Sequence, residues 1–191
     1  MLHSIFVLFF IGSKTQRSRR FFMLRYFYFI LLLFFFNVKL FSQNYKHQAT
    51  LLIFFSRYVN WPTSNNNEDF EICLLASKEI ANDMSSVLSH RTIDGRKIII
   101  KRCSNYTEIP RKAKLVYMSS SKSSQFQKVK EKIKKMPILF VTQKKGLAQK
   151  GSHFNIIFHK GQMKYELNKS SLQKSKLKVT SFLENLAIIY K

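Results

Sequence analysis

FEICLLASKEIANDMSSVLSHRTIDGRKIIIKRC, Phe70 to Cys103, reads as a strand, a helix and a second strand. FEICLLA, Phe70 to Ala76, is a short apolar run without strict alternation, the pattern of a strand covered on both faces. Ser77 can cap the helix that follows, in which Ile80, Met84, Val87 and Leu88 share one face. Asp94-Gly95 then turns the chain into KIIIKRC, Lys97 to Cys103.

The same alternation continues C-terminally. KLVYMS, Lys114 to Ser119, is a third strand, FQKVKEKIKK is a helix with an apolar stripe of Phe126, Val129 and Ile133, and PILFVT, Pro137 to Thr142, is a fourth strand. Short apolar strands alternating with helices imply one α/β domain with a mainly parallel central sheet, helices on both faces and right-handed crossovers.

The pattern then changes to strict alternation. Phe154, Ile156 and Phe158 fall on one face of GSHFNIIF, Gly151 to Phe158, and His153, Asn155 and Ile157 on the other. Lys160-Gly161-Gln162 turns this strand into MKYELN, a C-terminal antiparallel hairpin. Val179, Phe182, Leu183 and Leu186 then predict a closing helix over Lys178 to Ile189. Five glycines leave no flexible linker, and there are no internal repeats.

Upstream, Leu51, Phe54, Phe55, Tyr58 and Trp61 fall at helical spacing, with Pro62 ending the helix and TSNNNED forming a solvated loop. Further upstream lies RYFYFILLLFFFNVKLFSQN, Arg25 to Asn44. Its unbroken apolar run, Tyr26 to Phe36, is 11 residues, against about 20 for a bilayer span. A basic flank, an apolar run of this length and the small Ser42 make a secretory signal peptide, with cleavage expected after Ser42. Met23 opens a compact signal, so residues 1–22 read as an over-called start, 23–42 as the signal and 43–191 as the working domain.

The first 42 residues carry six Lys/Arg and no acid, so the remaining 149 keep 27 of the 33 basic residues against 10 acidic ones, a net charge of +17. One core of this size buries roughly two-thirds of its unfolded surface. Export and the scatter of the lysines, without interleaved stacking aromatics, argue against nucleic acid. An acidic partner or an anionic envelope surface fits the charge, as does a plain solvated exterior. Cys73 and Cys103 would meet an oxidising compartment, so a disulfide and a pair of buried free thiols on neighbouring strands are both open.

Signatures of chemistry are sparse. The turn after the first strand, LLASKEI, has no glycine and so no phosphate-cradling loop. His153 and His159 lie six apart with no acid beside them, and read as ordinary surface or hairpin residues, so no metal or other cofactor is expected. No Gly-x-Ser-x-Gly elbow supplies a nucleophile. Glu166, in KYELN, is the acid of most interest. The sequence reads as a non-enzyme.

The more specific pieces are Arg57-Tyr58-Val59-Asn60-Trp61-Pro62, Phe70 to Ala76, Pro137 to Val141, Gly146-Leu147-Ala148, Gly151 to Phe158, Gly161 to Asn168, and Leu177 to Ala187. In this order they resemble the YfiR-like family of exported proteins over nearly all of residues 46–190. Three features depart from the family pattern: Ala76-Ser77 replaces a common glycine, Phe182-Leu183-Glu184 replaces a plainer apolar run, and only two cysteines remain.

The resemblance implies a periplasmic, non-enzymatic regulator that binds the periplasmic part of a membrane signalling protein, a diguanylate cyclase or a sensor kinase. It also implies repression of a cyclase, a homodimer, and sequestration by an outer-membrane lipoprotein. Candidate partner-binding residues are Arg57, Tyr58, Trp61, Glu166 and Asn168. The plainer readings are a core-packed Trp61 and an Asn168 that caps the helix starting near Ser170. The alternative function is a periplasmic small-ligand sensor using the crevice at the carboxyl ends of the parallel strands.

Overall fold

The computed structural model describes residues 26–29, 44–62 and 68–190. The chain divides into two units, Met1–Gln43 and Asn44–Lys191. In the first, residues 26–29 form an exposed helical turn. The expected start at Met23, the apolar run beyond residue 29, the cleavage after Ser42 and loop residues 63–67 lie outside the described residues. Among the described residues no helix is long and apolar enough to cross a membrane.

The second unit begins with α1 (44–58) and the two-residue strand β1 (Val59–Asn60). There follow β2 (Phe70–Leu75), α2 (Lys78–Leu88), β3 (Thr92–Ile93), β4 (Arg96–Cys103), β5 (Leu115–Met118), α3 (Phe126–Ile133), β6 (Leu139–Thr142), β7 (Phe154–His159) and β8 (Gln162–Asn168). The chain closes with α4 (Lys169–Lys174), β9 (Lys178–Val179), α5 (Ser181–Leu186) and β10 (Ile188–Tyr190). Eight strands form one sheet in the order β10-β8-β7-β6-β5-β2-β4-β3. Strands β4, β2, β5, β6 and β7 run parallel, whereas β7–β8 and β3–β4 are antiparallel. This is the α/β domain that the strand-helix alternation predicts.

Local chemistry explains the joints. Ser77 caps α2, accepting from the Ile80 amide at 3.5 Å. Lys160 and Gly161 both take positive φ, 49° and 76°, the backbone of a two-residue hairpin turn whose twist matches the strands. The two sheet faces then bury separate apolar layers. Leu52 and Phe55 of α1 pack with Met84 and Leu88 of α2 over Ile72, Leu74, Phe154, Ile156, Tyr165 and Leu167. Phe126, Val129 and Ile133 of α3 cover Cys73, Leu75, Val116 and Phe140 on the other face.

Two expected helix ends are corrected. α1 stops at residue 58, because Val59 and Asn60 pair antiparallel with Val179 and Lys178. Tertiary pairing therefore ends this helix before Pro62 can. The closing helix, expected over Lys178 to Ile189, is only Ser181–Leu186. Its flanks are drawn into strands: Lys178–Val179 join β1, and the β-branched Ile188 and Ile189 run parallel to Glu166 and Leu167 of β8. Of its expected apolar stripe, Leu183 is fully buried while Phe182 and Leu186 are about half exposed.

Candidate functional site

On the face of the β7–β8 hairpin turned away from α1, the side chains are polar and linked. Strand alternation puts Asn155 and its cross-strand partner Glu166 opposite to Phe154, Ile156, Tyr165 and Leu167. Thr142 Oγ1, at the end of β6, donates to Asn155 Oδ1 at 2.7 Å, and the Lys144 amide donates to the same oxygen at 3.1 Å. With its carbonyl side fixed, Asn155 donates from Nδ2 to Glu166 Oε2 at 2.7 Å. The Tyr190 hydroxyl of β10 donates to Glu166 Oε1 at 3.2 Å. The nearby carboxylate is the main reason that the Tyr190 hydroxyl is held above its ordinary pKa.

Asn155 is 0% exposed and Glu166 6%. Both carboxylate oxygens thus receive neutral donors, and among the described residues no Lys, Arg or His forms an ion pair with Glu166. The group opens onto a pocket of about 420 Å³ at the carboxyl end of β6. Ile157, Phe158 and Ile188 give it apolar walls, and Lys144 and Lys145 stand among its lining residues.

The predicted site residues fall into two places. Arg57, Tyr58 and Trp61 surround the end of α1. Tyr58 lies 5.0 Å from Phe54 and 5.1 Å from the half-exposed Phe182, ring centre to ring centre. Exposed Arg57 donates weakly to Thr92 O at 3.4 Å. Trp61 is half-buried edge-on against Phe70, centroids 5.4 Å apart, and its buried Nε1 has no partner among the described residues. Glu166 and Asn168 lie on β8 instead. Asn168 caps α4, accepting from the Ser171 amide at 2.8 Å, and donates to Ala148 O at 2.7 Å.

His153, read from the sequence as a surface or hairpin residue, is instead buried at 4% exposure. Its Nδ1 accepts from the Phe140 amide at 2.9 Å, so the ring proton belongs to Nε2, which lies 2.9 Å from Ser175 Oγ. Nε2 therefore donates to Ser175 and cannot take its proton, so the pair lacks the arrangement of a nucleophile and its base. Burial pushes the His153 pKa down to about 4. His159 remains exposed at the hairpin end. Among the described residues no group of three His, Cys, Asp or Glu could hold a metal.

Cys73 and Cys103 lie on adjacent parallel strands, with their sulfurs 2.7 Å apart inside the α3-side core. Both are free thiols, and Cys73 is held protonated, well above the usual thiol range, by the Cys103 contact and by burial. A third polar cluster lies under α1, where buried Tyr117 donates to Gln48 Oε1 at 2.7 Å. Sequence reasoning passed over Gln48, Thr142, Asn155 and Tyr190. For Asn155 a signal existed: it lies on the face of β7 opposite Phe154 and Ile156, and in a sheet covered on both faces a polar residue there must find buried partners.

The fold and these sites define a class: a mixed α/β domain built on a mostly parallel sheet, with a buried polar chain running from the end of β6 across β7 and β8 to β10. Within that class, residues 45–188 match the YfiR/HmsC-like family, and the chain belongs to it. That family is regulatory rather than catalytic. No curated protein matches the sequence. Similar solved structures include the following two. A conserved domain protein from Vibrio cholerae has a TM-score of 0.48 at 9% identity, over 66% of this chain and 56% of that one. A Streptococcus pneumonia ABC domain, in complex with L-Trp, has a TM-score of 0.49 at 11% identity, over 65% and 57%. The chain thus spans a little over half the length of each.

Proposed function

We propose that this chain is exported to the periplasm by a cleaved signal ending at Ser42, and that residues 43–191 form a non-enzymatic regulatory domain. It binds the periplasmic part of a membrane signalling protein and, where that protein is a diguanylate cyclase, represses it. The observation that carries this reading is the family match over residues 45–188. A charge of +17 suits an acidic partner surface.

In this reading the partner contact is the end of α1. Tyr58, Trp61 and Arg57 combine the residue types that dominate binding hot spots, and half-exposed Phe182 extends the same patch. Homodimerisation, sequestration by an outer-membrane lipoprotein and closure of a Cys73–Cys103 bridge in the oxidising periplasm belong to the same reading. Bridging would close a loop of about 30 residues, for which chain entropy gives on the order of 3–4 kcal/mol. Intact mass of the exported protein after alkylation tests it: two alkyl groups on the unreduced protein exclude the bridge.

The test of function is co-expression with a membrane diguanylate cyclase and, separately, with a membrane sensor kinase from the same genome. Wild type should lower cyclic-di-GMP and co-purify with the cyclase, and Trp61→Ala should lose both while keeping its melting temperature within a few degrees. Absence of any cyclase or sensor kinase from wild-type complexes would end the reading. A small-ligand sensor is the second reading, favoured by the pocket over Glu166.

A further inference from the structure

Glu166 presents an electrostatic imbalance. A buried carboxylate that is left ionised loses much of its hydration, and neutral donors restore only part of it. Asn155 Nδ2 and the Tyr190 hydroxyl supply two such donors. In a protein with 33 basic residues and only 10 acidic ones, this carboxylate nevertheless has no cation against it among the described residues.

The neighbouring lysines are directed elsewhere or lie at the surface. Lys144 donates its amide to Asn155, but its Nζ goes to Ser123 Oγ at 2.9 Å. Lys145 is exposed. Meanwhile the Asn155 amide cannot rotate to offer Glu166 its oxygen, because that oxygen already accepts from Thr142 and Lys144. The carboxylate is thereby fixed in place with lone pairs to spare.

The space beside it is of ligand size. Pockets for small molecules run from roughly 300 Å³ upward and combine apolar walls with a few fixed polar groups. Here the volume is about 420 Å³, with Ile157, Phe158 and Ile188 as walls. The backbone adds to it. The β6–β7 pairing ends at Thr142–Asn155, so among the described residues Ile156 to His159 have no partner strand on that side.

We propose that this pocket binds a small primary ammonium compound with an apolar body, its cationic head on Glu166 and its body along Ile157, Phe158 and Ile188. The chemistry follows from the site. A buried carboxylate without an ion pair favours a cation, an ammonium brings three donors to its free lone pairs, and Ile157, Phe158 and Ile188 suit an apolar body. This assignment stands on the pocket alone, and holds or fails independently of the partner reading.

Calorimetric titration with 2-phenylethylamine tests it, with 3-phenylpropanoate as an anion of similar size and shape. The amine should bind with one-to-one saturation and the anion should not. Glu166→Gln should weaken the amine by about tenfold or more, the worth of one hydrogen bond to a charged group. Lys145→Glu, at an exposed position outside the hydrogen-bond chain, should tighten it several-fold. Should Glu166→Gln fail to fold, Ile157→Trp serves instead, filling the pocket from its half-buried wall and abolishing binding. No saturation by about 10 mM amine, equal binding of the anion, or an amine affinity unmoved by Glu166→Gln would overturn the proposal.

Discussion

The two faces of the β7–β8 hairpin are built from the same thirteen or so residues and by opposite chemistry. Toward α1, Phe154, Ile156, Tyr165 and Leu167 are buried, and Phe55 stacks on Phe154 with ring centroids 4.2 Å apart and meets Tyr165 edge-on at 5.0 Å. Away from α1, Asn155 and Glu166 are buried as deeply but in a chain of hydrogen bonds beside an open pocket. The first face holds the fold, because burying apolar area is the main favourable term in folding. Net gains from buried polar groups are small, so the second face adds little stability for what it buries.

That contrast can be broken at several points. The largest loss should come from Phe55→Ala. Removing a fully buried ring that stacks on Phe154 and meets Tyr165 edge-on costs about 3–5 kcal/mol, measurable by urea denaturation. A loss under about 1 kcal/mol would mean that the α1 layer is not the stabilising one.

Acid should come next. His153 has its folded-state pKa depressed to about 4 from the ordinary 6.5. The unfolded chain therefore binds the proton more readily, and stability from the neutral ring is full above about pH 6.5 and lost as pH falls toward 4. Over that window the loss approaches about 3 kcal/mol. Denaturation at pH 7 and pH 4.5 checks it, and His153→Gln should remove most of the slope that is not due to carboxylates.

Asn155→Ala should cost about 1–3 kcal/mol, since it strands the Lys144 amide and takes from the buried Glu166 one of its two donors, while the Thr142 hydroxyl keeps Ser152 Oγ at 3.0 Å. The smallest effect on stability belongs to Phe182→Ala, at about 1 kcal/mol or less, because that ring is half exposed against Phe54 and Tyr58. Its consequence should appear in capture of the signalling partner instead. Loss of stability without loss of capture would return Phe182 to the core.

Much of the architecture was legible because the strands of a covered parallel sheet are short apolar runs and their helices carry clear stripes. FEICLLA, PILFVT and the alternating FNIIF each announce themselves in that way. The closing segment did not. Val179 and Leu186 keep helical spacing, yet Val179 pairs with Val59 across about 120 residues of chain and Ile188–Ile189 extend along β8, choices set by tertiary neighbours that periodicity does not encode. Of the site, Glu166 could be singled out from KYELN, and Asn168 as a cap from its place before KSS. The lack of a cation beside Glu166 and the proton position on His153 depend on three-dimensional neighbours, and no local pattern carries them.

The most direct test compares Glu166→Gln with wild type in one experiment, reading stability by urea denaturation and affinity for 2-phenylethylamine by calorimetry. A carboxylate kept for binding predicts a stability change within about 1 kcal/mol and an affinity loss of about tenfold or more. A stability loss of several kcal/mol with amine binding unchanged would make Glu166 part of the fold and contradict the division between the two faces.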